Sequence, residues 1–173
     1  LASAVMVMGI AFVYGISGTL SFEELARFTP AVGGTKTAYL LGIVLVVAGL
    51  GFKISAFPFH YWAPDVYQGA PAPVTGLLAS ASKAVGFILL TRFACAVMPL
   101  GTAHVTLFWA IIAAASILYG NLCAIPQCNI KRLIAFSGIA NAGYMLMALA
   151  VGTPAAVSAM FYYLIAYVFT IMG

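Results

Sequence analysis

From Ala38 to Phe57 the chain is apolar for about twenty residues, the length that crosses a bilayer as a helix. Lys53 is the one charge in that run. Val74 to Leu90 repeats the pattern, again with one charge, Lys83. Runs of this kind recur along the sequence, and no other feature restricts the fold more. Only 6% of residues are charged and 65% are hydrophobic, whereas soluble domains carry roughly a quarter charged residues. A water-facing surface cannot be assembled from such a composition. The expected fold class is all-α: a polytopic transmembrane helix bundle in contact with the lipid bilayer. The net charge of +4 comes from seven Lys/Arg and three Asp/Glu, too dispersed for a phosphate-tracking patch, which argues against nucleic acid as a partner.

The apolar segments predict about six spans in one transmembrane domain over 1–173. They lie near 1–16, 38–57, 74–97, 104–123, 130–151 and 155–173. Residues 19–37 read as a polar connection, in which Ser21 suits the cap of a short turn followed by Glu23 and Glu24. The stretch 58–73 cannot continue as one regular helix, because each proline removes a backbone donor and clashes with the turn before it. Its aromatic content instead suits a broken, re-entrant segment packed against protein. The chain starts and stops inside apolar runs, so the expectation is a piece of a longer protein. Lys131 and Arg132 fall on the same side as 58–73, with Arg27 and Lys36 on the other. By charge alone the orientation is close to a tie.

The two lysines are the main candidates for function. At 1.5 Å per residue, Lys53 lies roughly 22 Å into its span and Lys83 roughly 14 Å from the opposite face. In a core of about 30 Å, both come near the midplane. A lysine there is costly to insert, and burial disfavours its charged form. Such a group can pass between neutral and charged states and so carry protons. The competing readings are a side chain that snorkels to the headgroups or one fixed in a static ion pair. Only Glu23, Glu24 and Asp65 are available as acidic partners. The expected mechanism is proton exchange between Lys83 and Lys53 through serines and water, with charge at one site opposing charge at the other.

Several further residues could form a relay. Ser80 precedes Lys83 by nearly one turn. Ser137, Asn141 and Tyr144 fall at i, i+4 and i+7 on one helix face, either as relay or as interhelical hydrogen bonding. Lys131 is an interfacial anchor or a port to a proton path. His60 suits proton exchange or a structural hydrogen bond. Asp65, after Pro64, reads as a cap for the next turn, and His104 as interfacial. Cys95, Cys123 and Cys128 lack metal-site spacing and read as small apolar filler. No phosphate loop, haem ligand pair or nucleophile triad is recognisable. The expectation is therefore that no cofactor is bound and no metal is held by this chain.

The run Gly51-Phe-Lys-Ile-Ser-Ala-Phe-Pro-Phe-His-Tyr-Trp-Ala-Pro-Asp-Val-Tyr-Gln-Gly-Ala-Pro-Ala-Pro-Val74 closely resembles subunit N of NADH:quinone oxidoreductase, respiratory complex I. Ser80-Ala-Ser-Lys83 and the stretch from Asn129 to Tyr144 resemble the same subunit's next two signatures. The resemblance implies an antiporter-like, proton-translocating fold of fourteen helices, of which this chain would hold about the sixth to the eleventh. It implies that Lys53 sits on the discontinuous seventh helix, Lys83 on the eighth and Lys131 at the start of the tenth. It would place 58–73, Lys131 and Arg132 on the cytoplasmic side of a bacterial inner membrane.

The same resemblance implies other complex I membrane subunits as partners, with NADH, FMN, iron–sulfur clusters and quinone handled by other subunits. A glutamate upstream of Leu1 and a lysine downstream of Gly173 would complete the path. Asn141 departs from the pattern, since relatives often carry histidine there. Asp65-Val-Tyr-Gln-Gly69 favours this subunit over stand-alone cation/proton antiporters, which tend to read Asp-Ala-His. A non-conducting scaffold with statically paired lysines is the third reading.

Overall fold

The computed structural model describes residues 2–28 and 34–172. Among them are nine α-helices and one π-helical turn. Helix is the expected state for these apolar runs, because in lipid each backbone N–H and C=O must be satisfied within its own segment. α1 (Ala2–Ser17) ends where Gly18 turns to a left-handed φ of +72°. α2 (Phe22–Arg27) is a short surface helix held by an exposed Glu23–Arg27 ion pair. Ser21 stands at its cap position but makes no side-chain cap bond. The Thr19 hydroxyl donates to the Glu24 carboxylate and accepts from the Ser21 N–H, bracing the turn that leads into α2. Part of the 19–37 connection lies outside the described residues.

α3 (Gly34–Ile54) begins earlier than the sequence boundary at 38 and ends earlier than 57. It stops because Ser55 adopts a φ of +58°, a conformation rare outside glycine. The break that follows is well bonded. Ala56 N–H donates to Gly51 O at 3.0 Å, Phe57 N–H to Ser116 Oγ at 3.0 Å, and Trp62 Nε1 to Phe52 O at 2.9 Å. α4 (Trp62–Gly69) then forms a regular helix inside the stretch read as broken. Pro64 falls in its first turn, where an N–H has no intrahelical partner to lose. Pro71 and Pro73 likewise fall at the start of α5 (Ala72–Leu77). The prolines therefore punctuate the segment without interrupting a helix interior.

α5, the π-turn at Leu78–Ser82 and α6 (Lys83–Val97) make one continuous span. α7 (Ala103–Ala124) and α8 (Ile130–Val151) follow. Asn129 caps α8 by accepting from the N–H groups of Lys131 and Arg132, and Gly152 closes it at a φ of +69°. α9 (Pro154–Met172) opens on proline, as N1 positions favour. Five helices among the described residues are long and apolar enough to cross a membrane, while the apolar α1 is shorter.

Small residues set the helix spacing, as expected where helices pack by close approach in lipid. On the α1–α3 seam, a Cβ added to Gly49 would lie 2.5 Å from Met6 Cβ. On the α7–α8 seam, a Cβ at Gly143 would lie 2.7 Å from Ile117 Cγ1 and 2.8 Å from Ala113 O. The α5–π–α6 span connects the two pairs, touching α3 on one flank and α9 on another, while α4 lies against α8. Large apolar side chains point outward, among them Leu118, Leu122, Ile165 and Phe169, as a lipid-facing surface requires.

Candidate functional site

Lys83 is 1% exposed, and its Nζ has no hydrogen-bond partner among the described residues. The local backbone explains how it reaches that place. It follows directly on the π-turn, which widens the helix by one residue; such bulges are frequent at functional sites. Within the turn, Ser80 Oγ donates to Gly76 O at 2.6 Å. Nζ projects over Gly138 on α8, where an added Cβ would stand only 2.6 Å from it. The three acidic residues are engaged elsewhere: Glu23 with Arg27, Glu24 with Thr19 and Asp65 with Arg132. Static pairing within these residues is therefore not the arrangement of Lys83.

Lys53 differs. Its side chain is not enclosed by the rest of this chain and lines an open cavity of about 380 Å³ with Gly49, Phe52, Phe59, Trp62 and Ser82. Its backbone end packs on α6, since a Cβ at Gly86 would meet Ile54 Cγ2 at 2.7 Å and Lys53 Cβ at 3.7 Å. The two lysines thus approach the same helix and open to different flanks of it. Lys53 faces the α1 side, whereas Lys83 faces α8 and α9. The Lys53–Lys83 exchange expected through serines and water would run around α6. Rise per residue fixes how deep a side chain sits and leaves its direction open.

The remaining candidates divide between anchoring and the α8–α9 seam. Lys131 Nζ donates to Ala70 O at 2.8 Å, tying the start of α8 to the end of α4. Arg132 donates to Asp65 Oδ1 at 2.8 Å and to Gln68 Oε1 at 3.0 Å. Asp65 lies inside α4, with Tyr61 at the cap position, so it is an ion-pair partner and not the expected cap. Asp65 is largely exposed and Arg132 half-buried, and a pair near the surface contributes about 0–1 kcal/mol. His60 is fully buried, but neither ring nitrogen is hydrogen bonded among the described residues. It stacks instead near Phe57, Tyr61 and Tyr119, with centroids at 5.4, 4.4 and 4.1 Å.

Ser137, Asn141 and Tyr144 do form a polar stripe, completed by residues on other helices. Asn141 Nδ2 donates to Ser137 O at 2.9 Å and Oγ at 3.3 Å, while its Oδ1 accepts from the Tyr163 hydroxyl. Tyr144 accepts from Asn121 Nδ2 at 3.4 Å. The sequence reading missed Tyr67, Tyr163 and Tyr167. The Tyr67 and Tyr167 hydroxyls are buried without partners among the described residues. Tyr163 and Tyr167 are spaced i, i+4 on α9. That spacing was readable, though nothing distinguished it from ordinary aromatic packing.

A discontinuous span, a π-turn span carrying a deeply buried lysine, and close small-residue seams define a multi-pass membrane protein of antiporter-like fold. The chain belongs to the NADH:quinone oxidoreductase/Mrp antiporter transmembrane family, whose pattern matches residues 1–173. It is 47% identical over 173 residues to NADH-quinone oxidoreductase subunit N of Desulforamulus reducens, covering 100% of this chain and 36% of that protein. Subunit N of Moorella thermoacetica is also 47% identical, over 174 residues and with the same coverage. The chain thus spans about a third of the length of these relatives.

Among solved structures it superposes on a chain of respiratory complex I from Thermus thermophilus, determined with bound aureothin. The TM-score is 0.79 at 39% identity, over 98% of this chain and 35% of that one. A chain of the Mrp complex from Dietzia sp. matches with a TM-score of 0.87 at 22% identity, over 98% of this chain and 31% of that one. That second likeness is one of fold.

Proposed function

We propose that this chain is part of the proton-translocating membrane subunit of NADH:quinone oxidoreductase, in a bacterial inner membrane beside other membrane subunits of the complex. Quinone reduction and its NADH, FMN and iron–sulfur chemistry take place on subunits other than this one. The observation that carries the reading is Lys83: a lysine buried at mid-span, without an acidic partner among the described residues, in a family of quinone oxidoreductase and antiporter subunits. A permanent charge in such a place is costly unless a counter-charge or water reaches it. A proton that arrives and leaves makes the cost transient. Lys83 is the proton-carrying group, and Lys53, at the break after α3, exchanges protons with it around α6. Lys131 and Arg132 hold α4 against α8 and so fix the broken segment.

The cation/proton antiporter reading shares the fold and both lysines, and the driving force separates the two. In inverted membrane vesicles carrying the full-length subunit, NADH-driven acidification is expected to persist in sodium-free buffer. It is also expected to collapse when quinone reduction is inhibited. Acidification that needs a sodium gradient and runs without NADH oxidation would assign the chain to an antiporter instead.

A further inference from the structure

We infer that the phenol of Tyr167, backed by that of Tyr67, is the relay through which Lys83 exchanges its proton on the α8–α9 flank. The inference rests on the proton-carrying reading of Lys83 and adds the group that serves it. Lys83 Nζ, Tyr167 Oη and Tyr67 Oη are three buried polar atoms with no hydrogen-bond partner among the described residues. Buried polar atoms are nearly always hydrogen bonded, and neighbouring ones without protein partners mark a place that ordered water fills.

They come from separate elements, α6, α9 and α4, and the first two meet over Gly138. One point above that glycine lies 2.6 Å from Nζ and 3.2 Å from Tyr167 Oη. The two polar atoms are therefore at most about 6 Å apart, a gap that one water molecule bridges. Any side chain at Gly138 would close it. Tyr67 lies on the α4 side, in the segment whose end accepts from Lys131, and its hydroxyl is likewise buried without a partner among the described residues. One turn along α9, Tyr163 donates to Asn141, which donates to Ser137. Lys83 thus sits beside a row of hydroxyl and amide groups that runs along α9.

The step balances without a charged phenol. Neutral Lys83 Nζ takes a proton through the bridging water as the Tyr167 O–H gives one up. The Tyr167 oxygen takes the Tyr67 proton in the same motion, and a hydronium ion from the water phase on the α4 side reprotonates the Tyr67 oxygen and leaves water, so the proton that ends on Lys83 comes from that water phase. One N–H bond forms, each phenol oxygen loses one proton and gains one, and no electrons change hands.

The test is Tyr167→Phe in the full-length subunit within the intact complex, beside Tyr162→Phe on the outward face of α9 and Lys83→Met. Tyr167→Phe is expected to lower NADH-driven proton uptake about tenfold. That is less than a positioned acid or base contributes, because water partly replaces the hydroxyl. Assembly and NADH oxidation with an artificial electron acceptor are expected to stay unchanged, and the D2O isotope effect on proton uptake to increase, which a packing role would not cause. Tyr162→Phe is expected to match the unsubstituted protein.

Proton uptake and isotope effect unchanged in Tyr167→Phe, with uptake lost in Lys83→Met, would overturn the relay and leave the lysine reading standing. Uptake retained in Lys83→Met would overturn both. If Tyr167→Phe does not assemble, Tyr67→Phe carries the same expectation and the same overturning result.

Discussion

Lys83→Met is expected to abolish NADH-driven proton uptake while leaving the complex assembled. Methionine has nearly the length of lysine and fills the same apolar space beneath Gly138, but it cannot bind a proton. Lys83 is 1% exposed and unpaired among the described residues. Replacing a buried charge by an apolar group of similar volume is often neutral or stabilising, so the thermal stability of the complex is expected to hold or rise. Loss of a positioned proton-transfer group costs on the order of 100-fold or more, and uptake is expected to fall by at least that factor. Folding and function thus separate in one variant. Uptake within twofold of the parent would sink the assignment of Lys83.

The second large effect is structural. α7 and α8 approach closely at Gly143, where an added Cβ would meet Ile117 Cγ1 at 2.7 Å and Ala113 O at 2.8 Å. The second of these is backbone, which cannot turn aside as a flexible side-chain end can. Gly143→Leu must push the helices apart, and overpacking of this kind costs about 3 kcal/mol or more. The displaced α8 carries Gly138 over Lys83, Asn141 beside Tyr163, and the Lys131–Ala70 and Arg132–Asp65 links. Assembly and proton uptake are therefore expected to fail together. Gly15→Leu, at a position with nothing within 4 Å of an added Cβ, is the matched comparison. Equal melting temperatures for the two variants would show that the seam does not set the helix spacing.

The spans themselves were readable because apolar runs of membrane length have few other folds open to them. Helix ends were readable where their chemistry is local, as with the Asn129 cap and the left-handed Gly152. Other features depend on tertiary placement. The Asp65–Arg132 pair joins residues 67 apart in sequence, and no local signal distinguishes that partner from a cap. Depth was readable for Lys53 but direction was not, and its side chain lies on the flank shared with α1. Tyr67, Tyr163 and Tyr167 went unnoticed because a phenol is common in membrane helices and charge is rare. The approach of Tyr167 to Lys83 over Gly138 exists only once α6, α8 and α9 are packed.

The central claim is that Lys83 changes its protonation state during turnover, as opposed to holding a fixed positive charge in a scaffold. Lys83→Arg separates these directly, because a guanidinium keeps the charge and does not release its proton. The decisive measurement is the number of protons moved per NADH oxidised in membranes carrying Lys83→Arg, with assembly verified on the same preparation. A titrating lysine predicts that the ratio falls as it does in Lys83→Met. A ratio equal to that of the unsubstituted protein would contradict the account and assign Lys83 a static role.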